Sequence, residues 1–342
     1  MIKPGDMINN RYHVLQELGD GAFGRTFAVE DRLRNDQKVI KILNLNIPKA
    51  LELFKQEYDV LNRLNHPGIP KVAMDGYVEF RCFHTQEILH GIVMEKIEGQ
   101  DLKRWLENNK ITNPKQAIVW LEQLIDILGH VHQHNYCHRD IKPSNIMLKP
   151  DGQLVLIDFG IVKELTQQDQ RQTIPSTKIG TPGYASPEQG ERNLPNLENF
   201  QFDYRSDFFS LGRTFVHLLT EIYPGNGELN IDSRTLKLLW RDKAPGISEK
   251  FKDLIDDLME YEPRDRPKST KEILKRINSI DAPATSFSPY IVYLSFVLNL
   301  VLLTLLAMGF TLNIGFKLLF IVVILVIADF LFLHQIQSLF KL

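Results

Sequence analysis

The run His138-Arg139-Asp140-Ile141-Lys142-Pro143-Ser144-Asn145, followed thirteen residues after Asn145 by Asp158-Phe159-Gly160, constrains this chain more than any other feature. It sets one carboxylate beside a lysine and an asparagine, and places a second carboxylate on a tight turn further along. Moving a phosphoryl group from a nucleotide calls for such a set: a base to orient a hydroxyl, a cation near the moving group, and two oxygen ligands for Mg²⁺. A lone His-Arg-Asp would say little, since structural aspartates near arginines are common. The length and order of the match carry the weight.

With 342 residues the chain has room for one large domain or two modest ones. A formal net charge of -2 excludes a nucleic-acid binder held by a broad basic surface. Cys82 and Cys137 are too few and wrongly spaced for a disulfide framework or a zinc site, and read as thiols in a reducing compartment. Met1 to Asn10 is polar and carries Pro4 and Gly5, unlike a secretory signal.

The average conceals a change near residue 282. From Tyr290 to Phe310 the chain is almost free of charge, and Phe316 to Leu333 is apolar except for Lys317 and Asp329. A bilayer core takes roughly 20 helical residues, so residues 290–310 and 316–333 are expected to form a two-helix transmembrane hairpin. The alternatives are a buried core hairpin and amphipathic helices on a surface, but neither span has a polar stripe. Residues 281–289 form the linker and 334–342 a cytoplasmic tail. Lys268, Lys271, Lys275 and Arg276 precede the first span, so the positive-inside rule leaves both the N-terminal domain and the C-terminus in the cytoplasm of a multi-pass protein of the cell membrane. Asn299 sits near the middle of the first span and suits a bond to the partner helix of the hairpin or to another copy, a homodimer. Asp329 lies near the cytoplasmic end, within reach of the headgroups.

Upstream, Tyr12 to Leu18 and Arg25 to Val29 read as a hairpin with the tip Gly19-Asp20-Gly21-Ala22-Phe23-Gly24. Glycines there permit positive φ and close approach to phosphates. Lys38 to Leu43 is an alternating strand, and Lys49 to Leu64 a helix with Phe54, Tyr58, Leu61 and Leu64 at helical spacing. Further helices are read over Asp101 to Asn108 and Pro114 to His134.

The His138 run and the Asp158 turn resemble those of the eukaryotic-type (Hanks-type) protein kinases, in their serine/threonine branch; the resemblance covers roughly residues 10 to 280. It implies an α+β, two-lobed fold: a small antiparallel β lobe over residues 10–95 and a larger α-helical lobe over 100–280. It further implies ATP held by Leu18, Gly19, Asp20, Gly21, Ala22, Phe23 and Gly24, by Lys41 on the phosphates, and by the hinge residues Met94, Glu95 and Ile97. Glu57 is the expected partner of Lys41, with Glu52 as the competitor. Asp140 is the implied base and Lys142 the cation on the γ-phosphate, while Asn145 and Asp158 are the implied ligands of Mg²⁺, with Mn²⁺ as an alternative.

By the same resemblance, Gly180-Thr181-Pro182-Gly183-Tyr184-Ala185-Ser186-Pro187-Glu188 closes the activation segment. Thr181 is expected to contact the catalytic loop, Glu188 to pair with Arg266, and Asp207 to anchor the loop backbone. Ser186 stands where alanine is usual, with little expected effect. Arg139 before the base implies control by phosphorylation, with Thr173, Ser176 and Thr177 as acceptors and Thr166 a weaker one. The compact size and apolar tail look like the bacterial membrane-anchored form of the family, cyanobacterial in the wording of its loops. Protein substrates are the implied partners. A scaffold without transfer and a small-molecule kinase are the two other classes; the intact motifs stand against the first, and the full activation segment against the second.

Overall fold

A computed structural model describes residues 2–21, 24–43, 47–160, 163–164, 180–190 and 203–281. The N-terminal part is one six-stranded antiparallel sheet built from β1 (Met7–Ile8), β2 (Tyr12–Asp20), β3 (Gly24–Asp31), β4 (Asp36–Leu43), β5 (Val72–Arg81) and β6 (Ile88–Glu95). The strands lie in the order β1-β2-β3-β4-β6-β5, with α1 (Pro48–Arg63) against the sheet. Alternation along β4 divides its side chains between two cores. Ile40 and Ile42 join Phe27, Val29 and Val93 on one face, and Leu43 packs with Phe54 of α1 on the other. Lys41, two residues from Leu43, is thereby delivered to the α1 side and is itself buried.

Helix α1 starts with Pro48 in its first turn, where a missing N–H costs nothing. Its buried stripe is Ala50, Phe54, Glu57, Val60 and Leu61, so Glu57 lies on the apolar face at helical spacing from Phe54 and Leu61. A carboxylate there must be paired, since an isolated buried charge is not tolerated.

The larger lobe holds β7 (Gln100–Asp101), α2 (Leu102–Asn108), α3 (Pro114–Gln133), β8 (Tyr136–Cys137), β9 (Ile146–Leu148), β10 (Leu154–Leu156), β11 (Lys163–Glu164), α4 (Pro187–Gly190), α5 (Arg205–Thr220), α6 (Glu249–Leu258) and α7 (Thr270–Asp281). The Asp101 side chain caps α2 by accepting from the Arg104 amide at 3.0 Å. Trp105 of α2 meets Trp120 of α3 edge-on at 5.1 Å between ring centroids. Helix α5 is buried along most of its length and ends on Glu221, whose φ of 62° closes the C-terminus in the left-handed region. β9 and β10 form a short hairpin, and β8 pairs antiparallel with β11 across the intervening segment.

The glycine-rich turn is shorter than its motif. Gly19 still pairs with Thr26 and Asp20 with Arg25, with bulges absorbing the irregularity, so the two strands run into the motif from both sides. None of Gly19, Gly21 and Gly24 has positive φ. Gly24 is required by packing instead: a Cβ there would lie 2.6 Å from the Ile42 carbonyl oxygen of β4. Ala22 and Phe23 lie outside the described residues, as do Thr166, Thr173, Ser176 and Thr177.

Residues 278–342 form a separate unit, and both apolar spans fall outside the described residues. Among the described residues no helix is long and apolar enough to cross a membrane.

Glu188 and Arg266 form a buried bidentate pair, with Nη1 to Oε1 at 2.6 Å and Nη2 to Oε2 at 2.9 Å. The same guanidinium donates to the carbonyls of Glu260, Arg205 and Tyr261 and lies over the Phe209 ring. Arg266 thus ties the 180–190 segment to α5 and to the loop after α6. Arg266→Leu strands the Glu188 carboxylate and is expected to cost about 3–5 kcal/mol, the usual cost of halving a buried pair. Urea denaturation of the variant checks it, and a change under about 1 kcal/mol is incompatible with the pair's burial.

Candidate active site

Three charged side chains from three elements meet between the sheet and the larger lobe. Lys41 Nζ of β4 donates to Glu57 Oε1 at 2.7 Å and Oε2 at 2.9 Å on α1, and to Asp158 Oδ1 at 2.7 Å. Burial alone would lower the Lys41 pKa, but the two carboxylates override it and hold the ammonium above its ordinary value. Lys41 pulls Asp158 down to about 2, against burial. Burial pushes the Glu57 carboxyl up, with Lys41 opposing and the Asp158 charge adding to the rise. One lysine therefore serves two carboxylates that differ in exposure: the Asp158 side chain is 42% accessible, that of Glu57 2%.

The Asp158 turn is shaped for this contact. Asp158 itself has φ of 64°, in the left-handed region where asparagine and aspartate are tolerated best. Phe159 is buried edge-on against His138 at 4.7 Å between centroids. A Cβ on Gly160 would sit 3.1 Å from Lys41 Nζ and 3.2 Å from Glu57 Oε2, so a side chain there would press on the ion cluster.

The second cluster is the His138–Asn145 loop. Asp140 Oδ1 accepts from the Thr181 hydroxyl at 2.7 Å, and Oδ2 accepts from Lys142 Nζ at 2.7 Å and Asn145 Nδ2 at 3.1 Å. Lys142 Nζ also donates to Thr181 Oγ1 at 2.7 Å. The Asn145 amide nitrogen donates further to the Asp140 carbonyl at 2.9 Å, which turns its oxygen away from the loop. Asp207 of α5, fully buried, holds the loop from behind. Its Oδ2 accepts from the His138 amide at 2.9 Å and bonds His132 at 2.8 Å, and its Oδ1 accepts from the Arg139 amide at 2.8 Å. Burial would raise the Asp207 carboxyl, yet these bonds keep it below the usual range. The predicted contacts of Thr181, Glu188 and Asp207 are all present.

Asn145 and Asp158 supply two oxygen donors, and Asp158 is ionised at any physiological pH. Among the described residues no group of three His, Cys, Asp or Glu gathers into a metal cage. Two protein oxygens fit Mg²⁺, which keeps several waters and binds through one or two carboxylates together with phosphates.

A sequence profile described as "Protein kinase domain" matches residues 12–276. The chain belongs to the protein kinase family. It is 36% identical over 282 residues to serine/threonine-protein kinase C of Synechocystis sp., an alignment covering 78% of this chain and 49% of that protein. It is 33% identical over 301 residues to serine/threonine-protein kinase PknA of Nostoc sp., covering 84% and 50%. With serine/threonine-protein kinase PrkC of Bacillus subtilis it shares 31% identity over 227 residues, covering 66% and 32%. The chain spans about half the length of the first two relatives.

The other residues expected at the nucleotide are spread along the sheet. Leu18 is half-buried on β2, and Gly19, Asp20, Gly21 and Gly24 flank the turn. Met94 is half-buried near the end of β6, and Glu95 ends the strand with its amide donating to the Lys71 carbonyl at 2.8 Å. Ile97 lies past the sheet, where the backbone leaves strand pairing. Glu52, the competitor for Lys41, is on the exposed face of α1 and bonds Lys49. Cys137 is buried, and burial pushes its thiol well above the ordinary value, away from nucleophilic chemistry. Sequence reasoning missed Gln189, whose amide reaches the Arg139 carbonyl at 2.8 Å, and expected little of Ser186, which is bonded to Gln189.

The depressed Asp158 pKa fixes a pH window. An aspartate lowered in the folded state contributes stability above its unfolded pKa and loses it as pH falls through the folded value, here about 2. Carboxyl-carbon NMR of the wild-type protein at about pH 4 is expected to show Asp158 ionised, although a free aspartate is near half-protonated there. In Lys41→Met the same carboxyl is expected to titrate at higher pH than in the wild type, because the largest pull against burial is gone and only the weaker ones of His138 and Lys142 remain. Equal titration in both proteins contradicts the coupling.

Proposed function

We propose that this chain transfers the γ-phosphoryl group of ATP to serine or threonine hydroxyls of proteins, its own included, as a membrane-tethered kinase. The observation that carries the activity is the hydrogen-bonding of Asp140. A carboxylate offers about four lone-pair sites, and three are filled by Thr181, Lys142 and Asn145. The remaining site faces an acceptor hydroxyl, which Asp140 orients for in-line attack and whose proton it takes. Lys142, between Asp140 and Thr181, places a positive charge where the transferred group gains negative charge. Lys41, held by Glu57, is the cation for the α- and β-phosphates. Asn145 and Asp158 would hold Mg²⁺, or Mn²⁺ in its place, which supplies charge neutralisation on the phosphates.

Serine and threonine are the acceptors by kinship: the relatives above carry that specificity in their names. Residues 290–310 and 316–333 are the anchor in the bilayer, with the catalytic domain and the C-terminus on the cytoplasmic side, where ATP is available. Asn299 within the first span is the contact for a homodimer. Arg139 before the base supports control by phosphorylation among Thr173, Ser176 and Thr177.

The full chain in detergent, given γ-labelled ATP and Mg²⁺, is expected to label its own serines or threonines, with the label lost in Asp140→Asn. Nucleotide binding without label on itself or on an acceptor protein favours a scaffold. Truncation after residue 281 is expected to move the protein from the membrane to the soluble fraction; sedimentation that is unchanged removes the anchor.

A further inference from the structure

Ser186, Gln189 and Gly180 enclose one backbone carbonyl, that of Arg139, the residue immediately before Asp140. Gln189 Nε2 donates to this oxygen at 2.8 Å. The orientation of the glutamine amide is set from its other side, where Oε1 accepts from the Ser186 amide at 3.2 Å and the Ser186 hydroxyl at 3.0 Å. With its oxygen committed to two donors, the amide can only turn its NH₂ to Arg139. Ser186, Gln189 and Arg139 are all buried, at 1%, 1% and 5% exposure. Gly180, at φ of 95°, leaves the space: a Cβ there would lie 3.2 Å from both the Arg139 oxygen and Gln189 Nε2.

The carbonyl matters because of the backbone around it. Arg139 has φ of 72°, a left-handed conformation that a long side chain adopts only under constraint. Its N–H is held by Asp207 Oδ1 at 2.8 Å and its C=O by Gln189, so the peptide units on both sides of the strained residue are fixed by buried side chains. The second of those units carries Asp140. From the opposite side the same 180–190 segment reaches Asp140 directly through Thr181. Asp140 is thus gripped front and back by one segment.

We propose that Gln189, oriented by Ser186, is a positioning residue for Asp140 that couples the order of the 180–190 segment to the geometry of the base; this rests on Asp140 acting as proposed above. The hydroxyl that distinguishes Ser186 from alanine then has a purpose, against the expectation that it matters little.

The test compares the wild-type 342-residue chain with Gln189→Leu, Gln189→Glu, Ser186→Ala and Asp140→Asn, all in detergent, with dephosphorylated casein as acceptor. Near pH 8 both Gln189 variants are expected to lose about 10²-fold in kcat, the scale of a misplaced catalytic group, with KM for ATP within about twofold of wild type. Gln189→Glu adds a readout that a general packing defect does not move. Ionised, its carboxylate repels the Arg139 carbonyl; protonated, it donates to it. Burial raises a glutamate's pKa, so the ratio of its kcat to wild type is expected to climb about tenfold between about pH 8 and pH 6. The Gln189→Leu ratio stays flat. The charged and titratable groups around this contact are His138, Arg139, Asp140 and Lys142 on the loop, Asp207 and His132 behind it, and the Glu188–Arg266 pair alongside. All are common to the wild type and both Gln189 variants and cancel in the ratio.

Wild-type kcat in both Gln189 variants, identical pH profiles for them, or a kcat loss matched by loss of ATP binding each overturns the proposal. If the Gln189 variants do not fold, Ser186→Ala decides: a lower kcat at unchanged KM supports it, and wild-type kcat overturns it. Wild-type protein that transfers nothing, with Asp140→Asn no different, removes the activity and this proposal together. Transfer abolished by Asp140→Asn alone removes only this one.

Discussion

Asp207 has no exposed surface, and burial by itself would favour its neutral form. It stays charged because two successive backbone amides, of His138 and Arg139, and the His132 ring all bond it. Those bonds fix the first turn of the catalytic loop to α5, the most deeply buried helix of the larger lobe. The positive φ of Arg139 comes immediately after those two anchored amides, where the backbone turns into the loop. From that turn Asp140, Lys142 and Asn145 emerge as one hydrogen-bonded group. A buried residue on another element thereby sets where Asp140 stands.

The two polar clusters of the site solve different electrostatic problems. Around Lys41 the demand is for charge that stays put: one ammonium, buried with Glu57, also reaches the more exposed Asp158 and holds it ionised down to about 2. Around Asp140 the demand is for direction, met by short bonds from a hydroxyl, an ammonium and an amide that leave one acceptor site open. The clusters join through the chain: Phe159, one residue after Asp158, packs on His138, two residues before Asp140. A shift of the Asp158 turn is therefore felt at the catalytic loop by direct contact.

Much of this was readable from residues alone, and the reasons differ by element. Helix α1 was expected over Lys49 to Leu64 and runs Pro48–Arg63; α3 was expected over Pro114 to His134 and runs Pro114–Gln133. Long apolar periodicity with a proline at the start leaves little freedom. Glu57 could be preferred over Glu52 because it shares the stripe of Phe54 and Leu61. The glycine turn was misjudged, because hairpin pairing persists through bulges that no local pattern announces, and Gly24 answers to a neighbouring strand distant in sequence. Gln189 was invisible for a similar reason. Its partner is fifty residues away, and its only sign was a serine where alanine is usual.

Native-state hydrogen exchange at the His138 and Arg139 amides tests most directly whether Asp140 stands on a buried, rigid anchor. Both amides donate to a carboxylate without solvent access, so they are expected to exchange only when the whole domain unfolds, with the same protection as Phe215 in the middle of α5. Protection far below that of Phe215, at the level of the exposed turn around Gly227, would mean that the loop opens on its own and that Asp207 does not hold the site.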